Sequence, residues 1–579
     1  MTPVREYRWT LPRTELSVED LEKIKRLSDE LTVSPVLAEI LVKRGIDTFD
    51  RAKAFFRPSL EDLHDPFLMD GMELAVERIV RAISNKEKLL VYGDYDVDGT
   101  NGVALLWSFL KSILADVEYF IPDRIKDGYG LSVAGIERAK ERGVQLLVSV
   151  DCGITAVKPI ARATDLGLDV IVCDHHEPGD VIPAAYAVLD PLKPTCNYPY
   201  KTLCGCSVAF KLIQALSQHP AIHPFIENGG QTLDQYLDFV TLATTADIVN
   251  LTGENRVLVK LGLELLNTNP RPGVHALIES SGLRLGAITA GQIVFVLAPR
   301  INAVGRLGDA SRAVELLTSE SFTVALERAR VFEEENRNRR KIDEDTFIEA
   351  QQIVEKFLDI DNEGAIILHQ ETWHPGVIGI VASRLVERYY RPTIMMTTVD
   401  GVAKGSARSV AGFDIYQALK RCEDKLVQFG GHKYAAGLSV EIDRLDEFKE
   451  AFNLVAKELL TEDLLTPEIR IDAEVPLQEI TPKFVRVLSQ FAPFGPGNMR
   501  PVFVARNIEL YGTPRIVGRN HLKFKVKANG QVFDAIGFNL GSLIEKLQQG
   551  RRTIDIAFSL DEGEYAGETI PQLKIRDLK

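Results

Sequence analysis

Long apolar runs and paired cysteines are both scarce in this sequence of 579 residues. It holds no run of about 18 apolar residues, so we expect no membrane span and no binding to membranes. The opening stretch lacks the apolar segment of a secretory signal. Only six cysteines occur, and Cys204 and Cys206 have no second pair at zinc-ligand spacing, which argues against a disulfide framework or a zinc finger. We therefore expect a protein of the reducing cytoplasm.

Positive charge is also in deficit, because the net charge is −14. Phosphate contacts need a basic surface, so this value argues mildly against a nucleic-acid partner. Carboxylates that bind cations are neutralised by them, however, and binding can rest on a local basic groove. Net charge therefore leaves the partner open, while 45% apolar and 26% charged residues are typical of a soluble globular protein.

The chain length suggests about three or four domains. Residues 1–60 show helical patterns, and within residues 61–319 short apolar runs alternate with helix-like stretches. Strands that alternate with helices predict an α/β fold with a mainly parallel sheet. The predicted strands are "KLLVYGD", "VEYFIP", "QLLVSVDCG", "LDVIVCDHH" and "AAYAVLDP".

The remaining chain divides into three predicted parts. Residues 320–358 read as one long charged helix that connects two globular parts or lies on a solvated surface, and residues 359–465 as a second α/β unit. Alternating, turn-punctuated strands over residues 466–579 predict a small β-barrel of the OB type, a fold that often binds nucleic-acid strands.

The stretch "LLVYGDYDVDGT" carries aspartates at positions 94, 96 and 98 and looks at first like a calcium loop. An EF-hand needs a glutamate at its twelfth position, which here is Leu105, and two flanking helices. The apolar run before Asp94 instead indicates a strand, and "GVALLWSFLKSILA" after it indicates a helix. Turn formation or helix capping is the simpler interpretation, but three alternate aspartates would repel one another without a cation.

Four clusters of acidic or histidine residues are predicted in or just after strands of the first α/β unit. Each one alone could be a turn or a helix cap, but together they supply carboxylates and two imidazoles at one edge of a sheet. Such donors suit Mn²⁺ or Mg²⁺ better than Zn²⁺ or Co²⁺, and they suffice for two ions, a device for phosphoryl transfer, with Asp151 as the expected bridge. Besides the aspartates of the first loop, the clusters contain Asp151, Asp174, His175, His176 and Asp247.

The "DHH" after a strand, with the upstream D-x-D and two single aspartates, resembles the DHH phosphoesterase superfamily. Five later motifs resemble the RecJ branch of bacterial single-strand exonucleases, and the resemblance covers most of the chain from about residue 60. These motifs are "LAPRINAVGRLGDA", "WHPGVIGIVASRL", "GSARS", "FGGHKYAAG" and "FGPGN".

The resemblance implies a DHH domain, a DHHA1 domain and a C-terminal OB-like barrel. It also implies that Asp174 orients a ligating imidazole. Many superfamily members carry a histidine where this chain has Tyr92, and Asp94 is the residue that could take over its coordination. The implied ligands of the two metals are Asp96, Asp98, Asp151, His175, His176 and Asp247.

The resemblance further implies positive and glycine-rich groups that hold the 5′ end of a strand and its phosphates. Two alternatives stay open: His432 could be a hydrogen-bonded structural histidine, and Arg300 and Arg306 could form inter-domain salt bridges. In "HLKFKVK", strand alternation favours Phe524 as a core residue between solvent-facing Lys523 and Lys525. The substrate-binding candidates are Arg124, Arg300, Arg306, His374, Ser406, Arg408, Gly430, Gly431 and His432.

The implied activity is the metal-dependent release of 5′-mononucleotides from single-stranded DNA, in DNA repair and recombination. One rival is a superfamily member that acts on short oligoribonucleotides or cyclic dinucleotides, but such members are mostly shorter. Another is an inactive DNA-binding scaffold, which predicts missing ligands that this chain retains. A third is a pyrophosphatase, which needs a small anion pocket instead of a groove. We expect a monomer, and the family suggests a single-strand-binding protein and a helicase as partners.

Overall fold

The fold is described from a computed structural model. It describes residues 6–11, 16–123, 128, 130–230, 232–360, 362–548, 552–565 and 568–579. The chain forms two compact units. We call Leu16–Asn336 with Pro482–Arg500 the N-terminal unit, and Met1–Glu15 with Arg337–Thr481 and Pro501–Lys579 the C-terminal unit.

The N-terminal unit is built on a sheet of five parallel strands, as predicted. Three central strands are almost fully buried, which explains their continuous apolar runs. Because every strand points the same way, all five carboxyl ends lie at one edge of the sheet, where ligands bind in such folds. In spatial order the strands are Val117–Phe120, Leu89–Gly93, Leu146–Val150, Asp169–Cys173 and Ala187–Leu189.

Helices surround this sheet and enclose the main apolar core. Among them, Val97–Ser112 and Gly205–Gln218 pack against each other beside the sheet. The helices of this unit are Val18–Leu31, Pro35–Lys43, Phe49–Phe56, Met72–Ser84, Val97–Ser112, Val133–Glu141, Val157–Asp165, Gly205–Gln218, His223–Asn228, Leu237–Ala246, Gly253–Thr268, Pro272–Ser280, Ala290–Gln292, the π-helical turn Ile293–Leu297, Ala298–Leu307, Ser311–Leu317 and Pro482–Ser489.

The predicted long helix is present as Phe322–Phe357, 36 residues. At about 1.5 Å per residue it is roughly 54 Å long. The division between the two units falls inside it, after Asn336. Its buried side chains include Ala325, Ala329 and Phe332, which join the core of the N-terminal unit.

The C-terminal unit contains a mixed five-stranded sheet. In spatial order its strands are Gln428–His432, Ala435–Glu441, Val402–Arg408, Thr393–Val399 and Ile366–His369, of which the last two are parallel. Helices Ile378–Tyr389, Ile415–Lys420 and Leu445–Leu459 bury their apolar faces in its two core clusters. The second predicted α/β unit is thus confirmed as a fold.

The end of the chain forms the predicted five-stranded barrel. Phe503–Val517 pairs with both His521–Ala528 and Thr553–Tyr565, and this double pairing closes the sheet. The remaining strands are Gln531–Gly537 and Glu568–Leu578. Phe524 is buried, as its alternation with Lys523 and Lys525 predicts.

The compact units do not follow the predicted domain boundaries one to one. The strand Arg8–Thr10, at the start of the predicted helical segment, pairs with Glu468–Arg470 in the C-terminal unit. Conversely, residues 482–500, inside the predicted barrel segment, pack with the N-terminal unit. The five-part division itself stays a prediction. In the part of the chain that the structure describes, no helix is both long and apolar enough to cross a bilayer.

Candidate active site

The acidic loop joins a strand to a helix, and not two helices. The strand ends at Gly93 and the helix begins at Val97, five residues before the predicted start. The earlier start follows from the side chain of Asp96, which accepts the amide of Gly99 at 3.1 Å and so caps the helix. A residue with a side chain would not fit at position 99, because a Cβ added to Gly99 would lie 2.5 Å from the carbonyl oxygen of Asp94.

Asp98 lies in the first turn of this helix and is held from a second element. Its Oδ2 accepts the backbone amide of Gly205 at 2.6 Å, and its Oδ1 accepts that of Cys206 at 2.8 Å. Both amides belong to the first turn of helix Gly205–Gln218, whose orphan N–H groups favour an anion. The 2%-exposed Asp98 therefore has a fixed orientation.

Asp151 directly follows the strand Leu146–Val150. Its φ of +62° lies in the left-handed region, which is costly for a residue with a Cβ. Gly205 makes room for it, because a Cβ there would lie 2.6 Å from the Cβ of Asp151. The same helix start thus positions both Asp98 and Asp151.

His175 brings three carboxylates together. Its Nε2 lies 3.1 Å from Oδ1 of Asp151, 3.6 Å from Oδ2 of Asp98 and 3.8 Å from Oδ2 of Asp247. Burial lowers the pKa of His175, which favours the neutral imidazole that ligates metals. Nε2 is therefore the atom of His175 that is placed to coordinate an ion.

Asp174 holds the neighbouring imidazole. Its Oδ1 lies 2.7 Å from Nδ1 of His176, and its Oδ2 accepts the amide of Ile154 at 2.9 Å. Burial is the largest single influence and opposes the charge of Asp174, but the hydrogen bond and charge of His176, the amide of Ile154 and the charge of His175 together keep the pKa of Asp174 below its usual range. Burial likewise opposes charge on His176, yet Asp174 raises the pKa of His176 to about 9. With Nδ1 held in this way, Nε2 is the atom of His176 that can ligate a metal.

Asp247 corrects one expectation, since it follows a helix and not a strand. The buried run before it forms helix Leu237–Ala246, and the amide of Asp247 still donates to Ala243 at 2.9 Å. A short, continuously apolar run cannot be assigned to helix or strand by periodicity alone. The next residue, Ile248, has a φ of +62°, so the chain turns sharply after Asp247.

The candidate ligands destabilise one another's charged forms. Burial, then the charge of Asp98, raises the pKa of Asp96. Burial followed by four neighbouring carboxylates raises the pKa of Asp151 well above its usual range, and burial followed by Asp98 raises that of Asp247 in the same way. A divalent cation would relieve this repulsion, so the residues present fit a metal centre.

Seven side chains form three overlapping groups of three. Within each group, the ligand atoms lie within 4.8 Å of one another. The mixture of carboxylate oxygen and imidazole suits Mn²⁺ or Mg²⁺, and the number of donors is sufficient for two ions. Asp151 and His175 each belong to two groups. The groups are Asp94 with Asp96 and Asp151, Asp98 with His175 and Asp247, and Asp151 with His175 and His176.

Several substrate-binding candidates meet on one face of the sheet in the C-terminal unit. Ser406 pairs across the strands with Gly437, which pairs with Gly430. Two residues further on, Arg408 is in register with Ala435 and His432, so both rows lie on the same face. An added Cβ at Gly430 or Gly437 would meet nothing within 4 Å. This face, which we call the glycine face, is therefore flat and open.

The cationic corner of the glycine face lies against helix Ile378–Tyr389. The Nη1 of Arg408 donates to Oγ of Ser406 at 2.9 Å. A Cβ at Gly379 would lie 2.8 Å from Oγ of Ser406 and 2.9 Å from Nη2 of Arg408. Gly379 thus lets the guanidinium and the hydroxyl approach the helix start, a place that favours an anion.

Three further substrate-binding candidates of the C-terminal unit are Gly431, His432 and His374. Gly431 has a φ of +142°, and its Cβ would lie 2.4 Å from the carbonyl oxygen of Ala435, so it is needed for the hairpin. His432 is exposed at the end of its strand. His374 accepts the amide of Gly376 on Nδ1 at 3.0 Å and precedes the helix by four residues.

Two of the arginine candidates, Arg300 and Arg306, lie on one helix of the N-terminal unit, Ala298–Leu307. Arg300 is 4% exposed, and it donates to Glu333 and to the carbonyl of Val296, each at 2.6 Å. Its ion pair with Glu333 joins its helix to the long helix Phe322–Phe357, within the N-terminal unit, and its second bond goes to the preceding π-helical turn. Arg124 lies outside the described residues.

Two features of the site were not found from the sequence. The amides of Gly205 and Cys206 bind Asp98, yet "CGC" carries no recognised signal. Asp190 is fully buried at the carboxyl end of strand Ala187–Leu189, and burial, followed by the charge of Asp174, raises its pKa to about 7. Its place after the run "AAYAVL" was the available signal.

Comparison with known proteins agrees with this architecture. The model described as "DHH family, N-terminal domain" matches residues 88–244, "DHHA1 domain" matches 351–458, and "RecJ OB domain" matches 471–577. The chain is 39% identical to the single-stranded-DNA-specific exonuclease RecJ of Bacillus subtilis, over 98% of this chain and 70% of the relative. It is 34% identical to the Escherichia coli protein of the same name, over 94% and 96% of the two chains.

A solved structure extends the likeness to three dimensions. RecJ of Thermus thermophilus in complex with Mn²⁺ matches with a TM-score of 0.81 and 29% identity, over 99% of this chain and 79% of that one. The Mg²⁺ complex of the same protein matches with a TM-score of 0.77 and 27% identity, over 99% and 78% of the two chains. The predicted fold class is thereby confirmed, and this chain belongs to the RecJ family of single-stranded-DNA-specific exonucleases.

Proposed function

We propose that this chain degrades single-stranded DNA from its 5′ end to 5′-mononucleotides, with two Mn²⁺ or Mg²⁺ ions. The observation that carries the proposal is the set of three overlapping carboxylate and imidazole groups at one sheet edge. When bound, two such ions activate water and stabilise the leaving oxygen of a phosphodiester. The similarity to RecJ exonucleases over 94–98% of this chain favours a polymer substrate over the short-oligonucleotide branch of the superfamily.

Within this proposal each side chain has a distinct task. Asp151 and His175 would both hold ions, and Asp151, a carboxylate with two oxygens that belongs to two of the three groups, is the residue that would contact both, whereas His175 would offer only its Nε2. Asp174 would fix the orientation of His176 through its bond to Nδ1. Gly205 and Cys206 would hold Asp98 in place before an ion arrives, which lowers the cost of organising the site.

The glycine face would bind the substrate itself. Arg408 and Ser406 would hold a phosphate at the 5′ end of the strand, because a guanidinium offers several donors in a fixed plane. Gly430 would allow the backbone and sugar to approach this face closely, Gly431 would contribute by keeping the hairpin in shape, and His432 and His374 would add polar contacts. Arg300, Arg306 and Arg124 remain further candidates for this task.

The barrel would hold the strand beyond the cleaved end. Tyr511 is 48% exposed and has Nζ of Lys527 5.7 Å from its ring centroid, a combination of stacking surface and positive charge that suits single-stranded nucleic acid. We further propose action in DNA repair and recombination, in the cytoplasm, as a monomer that works beside a single-strand-binding protein and a helicase.

The test is a digest of 5′- and 3′-labelled single strands and of a matching duplex, with Mn²⁺, Mg²⁺ or EDTA. Asp151→Ala is compared with Asp116→Ala, an exposed aspartate at the opposite edge of the sheet. We expect metal-dependent release of mononucleotides from the 5′ end of single strands, lost only with Asp151→Ala. Cleavage of di- or tetranucleotides alone would move the assignment to the short-oligonucleotide branch.

A further inference from the structure

The motif "FGPGN" has no task in the function proposed above, yet it packs next to a candidate metal ligand. The backbone amide of Leu251 donates to the carbonyl of Pro496 at 2.7 Å. Leu251 follows Asp247 by four residues, in the loop that connects helix Leu237–Ala246 to helix Gly253–Thr268. We propose that the segment 490–498, which we call the brace, is a positioning element for Asp247, and this inference rests on the proposed function of the metal centre.

The two glycines of the brace are shaped to the loop. An added Cβ at Gly495 would lie 2.6 Å from Cδ1 of Leu251, a side chain that is only 2% exposed. A Cβ at Gly497 would lie 2.9 Å from Cγ2 of Thr252 and 3.5 Å from Cβ of Asn250. The brace therefore lies against three consecutive loop residues, and all three face its two glycine positions.

The brace is itself a rigid turn. Gly495 and Asn498 exchange backbone hydrogen bonds of 3.1 and 2.9 Å. The buried side chain of Asn498 donates to the carbonyls of Phe491 and Pro493, each at 2.8 Å. Gly497 has a φ of +71°, a conformation that glycine adopts without strain.

Two arginines of the N-terminal unit hold the brace. Arg256 is 4% exposed and donates to the carbonyls of Phe491 at 2.9 Å and Ala492 at 3.1 Å, while its guanidinium carbon lies 3.5 Å from the ring centroid of Phe55. Arg44 donates to Oδ1 of Asn498 and, at 2.7 Å, to the carbonyl of Met499. The buried guanidinium of Arg256 and the side chain of Arg44 thus both bind backbone carbonyls at the brace or directly after it.

The loop needs such support because its own backbone is strained next to the ligand. Ile248 has a φ of +62° and its side chain is 59% exposed, so it contributes little packing. On the opposite side, the hydroxyl of Tyr200 donates to the carbonyl of Thr252 at 2.8 Å. The brace and Tyr200 thus fix the loop from two directions, and we expect Asp247 to lose its place when the brace is disturbed.

The test compares Gly497→Ala with Gly282→Ala. Gly282 has a φ of +75° and open space around it, so both variants carry the same backbone strain but only the first touches the loop. Removal of groups that orient metal ligands typically lowers metal affinity about 10- to 100-fold, and the brace acts one step further away. We expect Gly497→Ala to raise the dissociation constant for Mn²⁺, measured by calorimetry without DNA, by about 3- to 10-fold.

The thermal stability of both variants separates positioning from folding. Equal melting temperatures with a raised Mn²⁺ dissociation constant in Gly497→Ala alone would support the brace. Unchanged Mn²⁺ binding in a folded Gly497→Ala would overturn it. If Gly497→Ala does not fold, Arg44→Met takes its place, because it removes the hydrogen bonds to Asn498 and Met499. Weaker Mn²⁺ binding by a folded Arg44→Met would then support the brace, and unchanged binding would overturn it.

Failure of the proposed function gives a different result. A wild-type chain that binds Mn²⁺ but releases no nucleotides refutes the exonuclease, while the calorimetric comparison still decides on the brace. A wild-type chain that binds no Mn²⁺ refutes the metal centre and the brace together.

Discussion

Asp98 accepts the backbone amide of Gly205 at 2.6 Å although 107 residues separate them in the chain. The contact ties the helix that carries the acidic loop to the start of helix Gly205–Gln218. Because Gly205 also lies against Asp151, one glycine supports two candidate ligands.

Gly205→Ala is therefore expected to impair metal binding. Alanine is the better helix former, so a loss can only come from its Cβ, which would lie 2.6 Å from the Cβ of Asp151. We expect at least a roughly 10-fold weaker affinity for Mn²⁺, measured by calorimetry. Gly291→Ala is the matched control, since Gly291 is helical and its nearest neighbour would be 4.0 Å away. Equal binding by both variants would contradict this account.

Asp151→Asn is expected to separate stability from function. Burial and four neighbouring carboxylates disfavour the charge of Asp151, so in EDTA the variant should melt at or above the wild-type temperature. With Mn²⁺ at about 100 times its dissociation constant, the wild type should gain about 2.7 kcal/mol, and the variant much less. Nuclease activity should fall by about 100-fold or more. A variant that is less stable in EDTA but fully stabilised by Mn²⁺ would show a structural role for Asp151.

Much of this site was predictable from the sequence, because several of its residues directly follow the strands of a parallel sheet. Asp94, Asp151 and His175 each come just after a buried strand, and a parallel sheet gathers such positions at one edge. Asp247 was also predicted from the sequence, but as a residue after a strand, and the run before it is a helix that was misjudged because it has no clear period. The amides of Gly205 and Cys206 could not be predicted, because any residue supplies a backbone donor.

Arg408→Lys is expected to weaken recognition of a 5′-phosphate. Lysine keeps the charge but loses the planar donor set that lies beside Ser406 and Gly379. We expect a roughly 5- to 20-fold loss, about 1–2 kcal/mol, in affinity for a 5′-phosphorylated single strand, measured by fluorescence anisotropy in EDTA. A strand of the same sequence with a 5′-hydroxyl is the control, and its affinity should change little. Equal losses for both strands would place the phosphate elsewhere.

Asp190→Asn is expected to change the pH dependence of stability. The Oδ2 of Asp190 has no hydrogen-bond partner among the described residues, and burial, then Asp174, raises its pKa to about 7. The folded chain thus keeps a proton that the unfolded chain loses near pH 4, so Asp190 costs stability as the pH rises from about 4 through about 7. Asparagine keeps the acceptor for the amide of Leu192, which donates to Oδ1 at 2.7 Å, and carries no charge.

The measurement is urea unfolding in EDTA at pH 4 and pH 8. The stability of Asp190→Asn relative to wild type should improve between these values by up to about 4 kcal/mol. Asp116→Asn, on the exposed amino edge of the sheet, is the matched control for the removal of a surface carboxylate. A pH-independent difference would mean that Asp190 is ionised in the folded chain.

Tyr92 and Asp94 form the last test, because this chain departs from the superfamily pattern at Tyr92. The hydroxyl of Tyr92 donates to the carbonyl of Gly130 at 3.0 Å, and its fully buried ring lies 5.2 Å from that of Phe120. Tyr92 thus has a packing role, whereas Asp94 belongs to the group with Asp96 and Asp151. Asp94 is accordingly the residue that we expect to ligate a metal.

Two variants separate these roles. Tyr92→Phe should lose about 1 kcal/mol of stability, one buried hydrogen bond, with unchanged affinity for Mn²⁺. Asp94→Asn should keep or gain stability in EDTA, because it removes a buried charge that raises the pKa of Asp151, and should bind Mn²⁺ about 10-fold or more weakly. Wild-type Mn²⁺ affinity in Asp94→Asn would show that the loop coordinates its ions through Asp96 and Asp98 alone.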